Sequence, residues 1–330
     1  LLHVRNISGA VLGMLTGNAR LCTGGIGGVK MEEIGITQQS IRAFREFKPQ
    51  ALLCMGSFAS LPPAMAAKSM KIPLFLHDGN ARLGKANKFL SRYAKALGLS
   101  FPSPNSAQCR CPVIHTGMPL RHELLAGKME KAAAMEEINR RWKVDFKADA
   151  PTLLVFGGSL GASSINRTSR ISKTLPGGET IQLIHLAGVG KLEELERYYE
   201  GSGGRKLLLE SSPDMHLFYS AADMIICRAG GSTVTELAYF GKYAIVVPYP
   251  YAAENHQMDN AMWLASSGGA RIVKDSDCTE ENFNRIVLDW LREPDKYREM
   301  GAKLAEIAIP DASRRILNMI GNIVFVARAV

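Results

Sequence analysis

Short apolar runs alternate with longer amphipathic ones along most of the chain. The run "ALLCMG" (51–56) predicts a strand, with a helix through "PPAMAAKSM" behind it. "PLFLH" (73–77) predicts another strand, and "NKFLSRYAKALG" (87–98) a helix that gathers Phe89, Leu90, Tyr93 and Leu97 on one face. After a polar stretch at 127–150, "TLLVFGG" (152–158) opens a second series. There "IQLIHLAG", "KLLLE", "DMIICRAGG" and "YAIVVPY" predict strands separated by helices. Such alternation marks doubly wound parallel sheets, so the expected fold class is α/β, with two series facing a cleft. The last amphipathic segment, "DASRRILNMIGNIVFVARAV", can pack on either series.

Composition leaves this picture intact and adds a charge asymmetry. A length of 330 residues suits two domains better than one core. No apolar run approaches the roughly 20 residues that span a bilayer. The opening "LLHVRNISGAVLGML" is interrupted by Arg5, Asn6 and two glycines, which makes a poor signal peptide. A first residue of Leu1, not Met, leaves room for an upstream segment. Residues 1–120 hold 14 Lys or Arg against 4 Asp or Glu, while the remainder holds 26 against 27. A basic first half fits an anionic partner, nucleic acid or an acidic membrane surface, and equally a solvated face. The six cysteines form no paired zinc spacing, and Cys109 and Cys111 stand alone. Cys54 and Cys227, in apolar runs, read as buried thiols, so a reducing, cytoplasmic setting is expected.

Ligands of parallel sheets bind where the strands run out into helices, which directs attention to three loops. In "FGGSLGASSIN", Gly157, Gly158 and Gly161 permit a sharp turn, and Ser159 adds a hydroxyl donor. With a helix starting near Ala162, the loop suits a phosphate or serves as a plain strand–helix turn. It is neither a P-loop nor GxGxxG. In "CRAGGSTVTELAYFGK", Gly230 and Gly231 precede Ser232 and Thr233, which can cap a helix or donate to an anion. Glu236, one turn on, can accept both hydroxyls of a ribose diol or close a TxxE capping box with Thr233. In "VPYPYAAENHQMDNA", Gln257 and Asn260 lie at i and i+3, so on a helix they project together, and amides suit sugar hydroxyls. His256 can serve as a ligand, but reads first as a surface residue.

Taken in order, "GGSLGASSIN", "CRAGGSTVTELA" and "VPYPYAAENHQMDNA" resemble the MurG family of peptidoglycan N-acetylglucosaminyltransferases. Upstream, "MGSFASLPPAMAAKSMKIPLFLHDGNARLGKANKFLS" is similar to that family's acceptor-side region. "TGMPLRHELL" is similar to its interdomain segment and "IPDASRR" to its closing helix, so the likeness runs over about residues 45–330. The resemblance implies a GT-B fold of two Rossmann-like domains. An N-terminal acceptor and membrane-side domain is expected at 1–120, with 309–330 returning to it, and a C-terminal UDP-sugar domain at 121–308. The implied reaction is inverting transfer of N-acetylglucosamine from UDP-N-acetylglucosamine to the C4 hydroxyl of lipid I, with no cofactor or metal. The implied place is the cytoplasmic face of the cell membrane, as a peripheral protein. Its partners there would be lipid I and the anionic inner leaflet, with no nucleic acid. The basic helix offering Lys85, Lys88, Arg92 and Lys95 beside Phe89 and Leu90 suits such a bilayer, and core packing accounts for Phe89 and Leu90 equally.

By position, the resemblance puts the donor site on Arg121, Gly158, Ser159, Ser212, Gly231, Ser232, Thr233, Glu236, Gln257 and Asn260, and an acceptor-side contact on Asn80. Ser212 falls where the family holds uracil by its main chain. The family's first loop, GGTGGH with its proposed catalytic histidine, is not found. "GGIGGV" (24–29) has Val29 in the histidine's place and reads as a later variable loop. "GSFASL" replaces GGYVSG, and "HDGN" replaces HEQN. The catalytic base is therefore unassigned, with His77 and Asp78 as candidates from the acceptor-side motif. Two other readings share the donor. A UDP-N-acetylglucosamine 2-epimerase needs more acidic groups than the Glu32, Glu33, Glu46 and Asp78 of the first half. A non-catalytic UDP-sugar-binding protein would need no base at all. A nucleic-acid binder ranks last, because no aromatic-studded motif accompanies the basic charge.

Overall fold

The structure, a computed structural model, describes residues 31–168 and 181–324. Loop 24–29 lies outside them, as do Cys22 and the end of the closing segment. The described residues up to Thr116, with those from Arg314 on, make one compact unit, and Gly117–Ser313 make a second.

The first unit is built on a parallel sheet of β1 (Leu52–Cys54), β2 (Leu74–Asp78), β3 (Ala96–Leu99) and β4 (Val113–His115), paired in that order. Alternation along the strands sorts the side chains. Leu74, Leu76, Leu97 and Leu99 face one way, onto α2 (Leu61–Ser69) and α3 (Lys85–Leu90), and form a core with Ala64 and Leu90. Phe75 and Ala96 face the other way and meet Ile316, Met319, Ile320 and Ile323 of α13 (Ala312–Val324). The three- and four-residue spacing of those apolar positions draws the closing helix onto this sheet. The first helix, α1 (Met31–Phe47), packs Ile41 and Phe44 against Ala66, Ala67 and Met70.

The helix expected at 87–98 is corrected here. It stops at Leu90, and Ala96–Leu99 is a fully buried strand. Leu97 pairs with Val113 and Gly98 with Ile114. Gly98 has no room for a side chain, since a Cβ would stand 2.9 Å from Thr116 Oγ1. Sheet pairing on both edges outweighs the helical pattern of the stretch. Lys95 consequently leaves the helix, and its N–H bonds to Leu74 O instead.

The second unit carries a six-stranded parallel sheet. Its strands are β5 (Thr152–Phe156), β6 (Gln182–Leu186), β7 (Lys206–Leu209), β8 (Met224–Cys227), β9 (Ala244–Val246) and β10 (Ala270–Ile272). The spatial order is β7-β6-β5-β8-β9-β10, the doubly wound order of dinucleotide-binding folds. Leu153, Val155, Leu183, Ile226 and Ile245 pack on one face with Ile165, Leu195, Phe283 and Trp290. The other face holds α8 (Met215–Ala221) and α9 (Gly231–Phe240), where Tyr219 stacks on Phe240 at 4.9 Å and meets Phe156 edge-on at 5.9 Å. The polar stretch 127–150 contains a helix, α5 (Lys131–Trp142), held by buried Ala134, Met135 and Ile138. The expected burial of Cys54 and Cys227 is observed, and desolvation raises both thiols, Cys54 to about 12.

Candidate functional site

The strand order reverses at β5. The chain moves outward through β6 and β7 on one side, then through β8, β9 and β10 on the other. Loops leaving β5 and β8 at their carboxyl ends therefore diverge and open a crevice between them. After β5, Gly158 and Ser159 are exposed, and Gly158 and Gly161 adopt φ of 84° and 65°. Gly161 is wedged against the loop after β6, where a Cβ would stand 2.0 Å from Ala187 O. Val189 N also donates to Ser159 O at 3.0 Å. These backbone contacts pin the first loop and leave Ser159 facing solvent.

At the second loop, α9 starts from Gly230 with no side-chain cap. Its first intrahelical bond runs from Val234 N to Gly230 O, at 3.0 Å, so the N–H groups of Gly231, Ser232 and Thr233 precede it. The TxxE capping box open from the sequence is not formed. The Glu236 side chain turns instead to α8, where the Tyr219 hydroxyl donates to its Oε2 at 2.8 Å. Burial pushes the Glu236 carboxyl above the usual carboxylate range, against the Tyr219 hydrogen bond and the positive charge of nearby Arg121. Burial first, and then the Glu236 charge, raise the Tyr219 hydroxyl far above its ordinary value, so it stays a donor. Arg121 sits immediately before α4 (His122–Ala126). The charge of Arg121 thus acts on Glu236, while Tyr219 contacts the carboxylate directly.

Gln257 and Asn260 share a helix, as expected, but their amides are engaged by different backbone groups. Both lie on α10 (His256–Ala265), whose entry bends through left-handed Glu254 and Asn255 at φ of 54° and 57°. Gln257 Oε1 accepts from Tyr249 N at 2.9 Å, while fully buried Asn260 donates to Ala229 O at 3.0 Å. Each amide satisfies the backbone of a different loop. Ser212, after β7, accepts the Asp214 N–H at 3.0 Å in the turn that leads into α8. Tyr219 and Arg228 are the residues that sequence reasoning missed. Tyr219 lies in the apolar stretch "HLFYSAAD", and Arg228 stands before the glycine pair with one residue between, neither in a motif of its own.

On the acceptor-side motif of the first unit, His77 is fully buried and Asp78 nearly so. The Asp78 carboxylate accepts from Gly84 N at 2.9 Å, Asn87 Nδ2 at 2.9 Å and Asn80 N at 3.1 Å. Three donors converge on it, and the loop 78–87 is folded around it. Among the described residues, no group of three or more His, Cys, Asp or Glu side chains is arranged to hold a metal ion.

Residues 152–316 match the glycosyltransferase family 28 C-terminal domain, and residues 21–98 match its N-terminal domain. The chain is 34% identical over 283 residues to a UDP-N-acetylglucosamine–N-acetylmuramyl-(pentapeptide) pyrophosphoryl-undecaprenol N-acetylglucosamine transferase of Thermodesulfovibrio yellowstonii. That match covers 85% of this chain and 75% of the relative. The fold is similar to the crystal structure of Acinetobacter baumannii MurG, with a TM-score of 0.71 and 28% identity over 94% of this chain and 87% of that one. A UDP-GlcNAc 2-epimerase from Neisseria meningitidis, solved with UDP-GlcNAc bound, shares the fold at a TM-score of 0.61 and 15% identity, over 89% and 83% of the two chains.

Proposed function

The chain belongs to the MurG family of glycosyltransferases, and on that footing we propose that it transfers N-acetylglucosamine from UDP-N-acetylglucosamine to the C4 hydroxyl of lipid I. Transfer inverts the sugar's anomeric centre and yields lipid II for peptidoglycan. The observation that carries this reading is the Glu236 carboxylate. It is held by one donor at the switch point, one turn inside a helix whose leading N–H groups point at the crevice.

UDP leaves as an anion, so the site must stabilise charge as it develops on the diphosphate. The N–H groups of Gly231, Ser232 and Thr233, exposed Ser159 beside Gly158, and Arg121 supply that stabilisation. Glu236 receives the ribose hydroxyls. The backbone at Ser212 holds the uracil, and the Gln257 Nε2 group serves the sugar hydroxyls, its Oε1 being engaged with Tyr249 N. Asn260 acts through the Ala229 carbonyl that it holds. Asn80 serves the acceptor from a loop built on Asp78. Because His77 is buried and Asp78 is committed to that loop, we give both a positioning role and assign the base to neither.

An assay of UDP-N-acetylglucosamine with and without a lipid I analogue tests the reaction. Release of UDP that depends on the acceptor is expected. Epimerised sugar without acceptor would replace this reading by the epimerase one, and donor binding without turnover would leave only a binding protein. For the site, Glu236→Gln should weaken donor binding at least tenfold while shifting stability by no more than about 1 kcal/mol. Thr233→Val, which removes no cap, should leave stability nearly unchanged.

We further propose peripheral attachment to the cytoplasmic leaflet through the first unit. No described helix is long and apolar enough to cross a membrane. A surface cavity of about 330 Å³ is lined by Lys85, Lys88, Phe89, Arg92, Gln108 and Arg110, with no carboxylate among them. Leu90 belongs to the core, whereas Phe89 is exposed and carries the Arg92 guanidinium 4.5 Å above its ring. Co-sedimentation with anionic vesicles should be strong at low salt and fall as salt rises. Equal binding to neutral vesicles would remove the electrostatic part of this proposal.

A further inference from the structure

We infer that Tyr219 is a positioning residue for donor recognition: its hydroxyl fixes the plane of the Glu236 carboxylate so that the remaining acceptor positions face the ribose. The inference rests on the reading of Glu236 as the ribose-binding group. A carboxylate offers about four lone-pair positions on two oxygens, and its terminal torsion is broad unless something holds it. Tyr219 takes one position on Oε2 at 2.8 Å. The tyrosine itself cannot swing. Its side chain is fully buried, with the ring stacked on Phe240 at 4.9 Å and edge-on to Phe156 at 5.9 Å. Phe156 closes the strand before the Ser159 loop, and Phe240 closes the helix that carries Glu236. The donor to the carboxylate is therefore packed between β5 and α9, the elements that lead to the Ser159 loop and carry Glu236.

The same contact also bears on the charge state. Burial favours the neutral carboxyl of Glu236, and the Tyr219 hydrogen bond together with the Arg121 charge works against it. Without the hydroxyl, the carboxyl would hold its proton to higher pH and lose acceptor strength toward a diol. A tyrosine that only fills space would have neither effect, since phenylalanine fills the same volume.

Calorimetric titration with UDP-N-acetylglucosamine and its 2′-deoxyribose analogue tests this in the wild type, Tyr219→Phe and Glu236→Gln. The wild type should prefer the ribose form. Tyr219→Phe should weaken the ribose donor about tenfold, the effect of one charge-assisted hydrogen bond, and weaken the deoxy analogue, which keeps one hydroxyl on the carboxylate, by clearly less. The acid limb of ribose-donor binding should also move to higher pH in Tyr219→Phe. If Glu236→Gln abolishes the ribose preference while Tyr219→Phe retains it with an unmoved acid limb, the inference fails and the donor-site reading stands. If neither variant alters the preference, both fail. A uniform loss of affinity for the two donors in Tyr219→Phe would show a structural role and likewise overturn the inference.

Discussion

Arg228 donates from Nη1 to Asp275 Oδ1 across 2.5 Å, and Ser164 Oγ donates to the same oxygen at 2.7 Å. The guanidinium also reaches Ser164 Oγ through Nη2 at 3.0 Å and Val247 O through Nη1 at 3.2 Å, and lies 5.5 Å from the centre of the Tyr249 ring. One planar fork thereby joins the segments that follow β5, β8, β9 and β10. Three of those segments carry residues of the donor site.

Removing either partner should loosen the site as a whole. Asp275→Ala leaves a mostly buried guanidinium without its counter-charge, a change expected to cost about 2–4 kcal/mol. Urea denaturation should show the loss, and the affinity for UDP-N-acetylglucosamine should fall with it. Arg228→Lys keeps the charge but loses the fork, so it should also weaken binding. An unchanged denaturation midpoint in Asp275→Ala would mean that the pair does not hold the loops.

Ser57 offers the opposite kind of change. It sits at φ 73° and ψ 152°, a backbone region open to glycine and costly, by about 1–3 kcal/mol, for other residues. Its hydroxyl accepts one long bond, from Ala59 N at 3.4 Å. Ser57→Gly should raise stability by about 1 kcal/mol, after the extra chain entropy of glycine is deducted. A lower melting temperature in the variant would show that the hydroxyl contributes more than the strain costs.

Gly161 tolerates no such exchange. An added methyl would lie 2.0 Å from Ala187 O at a backbone φ of 65°. Gly161→Ala should destabilise the second unit by about 3 kcal/mol or more and abolish donor binding. Wild-type stability and affinity in this variant would show that the two loops are free to part.

His185 supplies a pH dependence. It is fully buried on β6, with Nδ1 near Tyr199 Oη at 3.3 Å and Nε2 near Asn166 Oδ1 at 3.2 Å, and desolvation lowers its pKa to about 3. Folding therefore favours the neutral ring. Its contribution is fully present above the unfolded value of about 6.5 and is lost as pH falls toward the folded one. Between pH 6 and 4 the loss should approach about 1.4 kcal/mol per pH unit. His185→Gln should flatten that slope. The same slope in the variant would assign the acid sensitivity to other groups.

The α/β class, the principal strands and the glycine loops were legible because each depends on residues close in sequence. An apolar run such as Leu153–Phe156 is a buried strand wherever it is placed, and the left-handed turn at Gly161 needs a glycine locally. The strand at Ala96–Leu99 was not legible, because its pattern also suits a helix and the choice was made by β2 and β4 on either side. The role of Glu236 was open for a related reason. A capping box is a local possibility, whereas Tyr219 lies on another helix and becomes a partner only when α8 and α9 pack together. Arg228 and Asp275 are 47 residues apart, and Ser164 and Asp275 are 111 apart. No local pattern encodes those pairings. The doubly wound sheet creates them by bringing the ends of β5, β8 and β10 to one edge, where burial makes unpartnered charges too costly to leave apart.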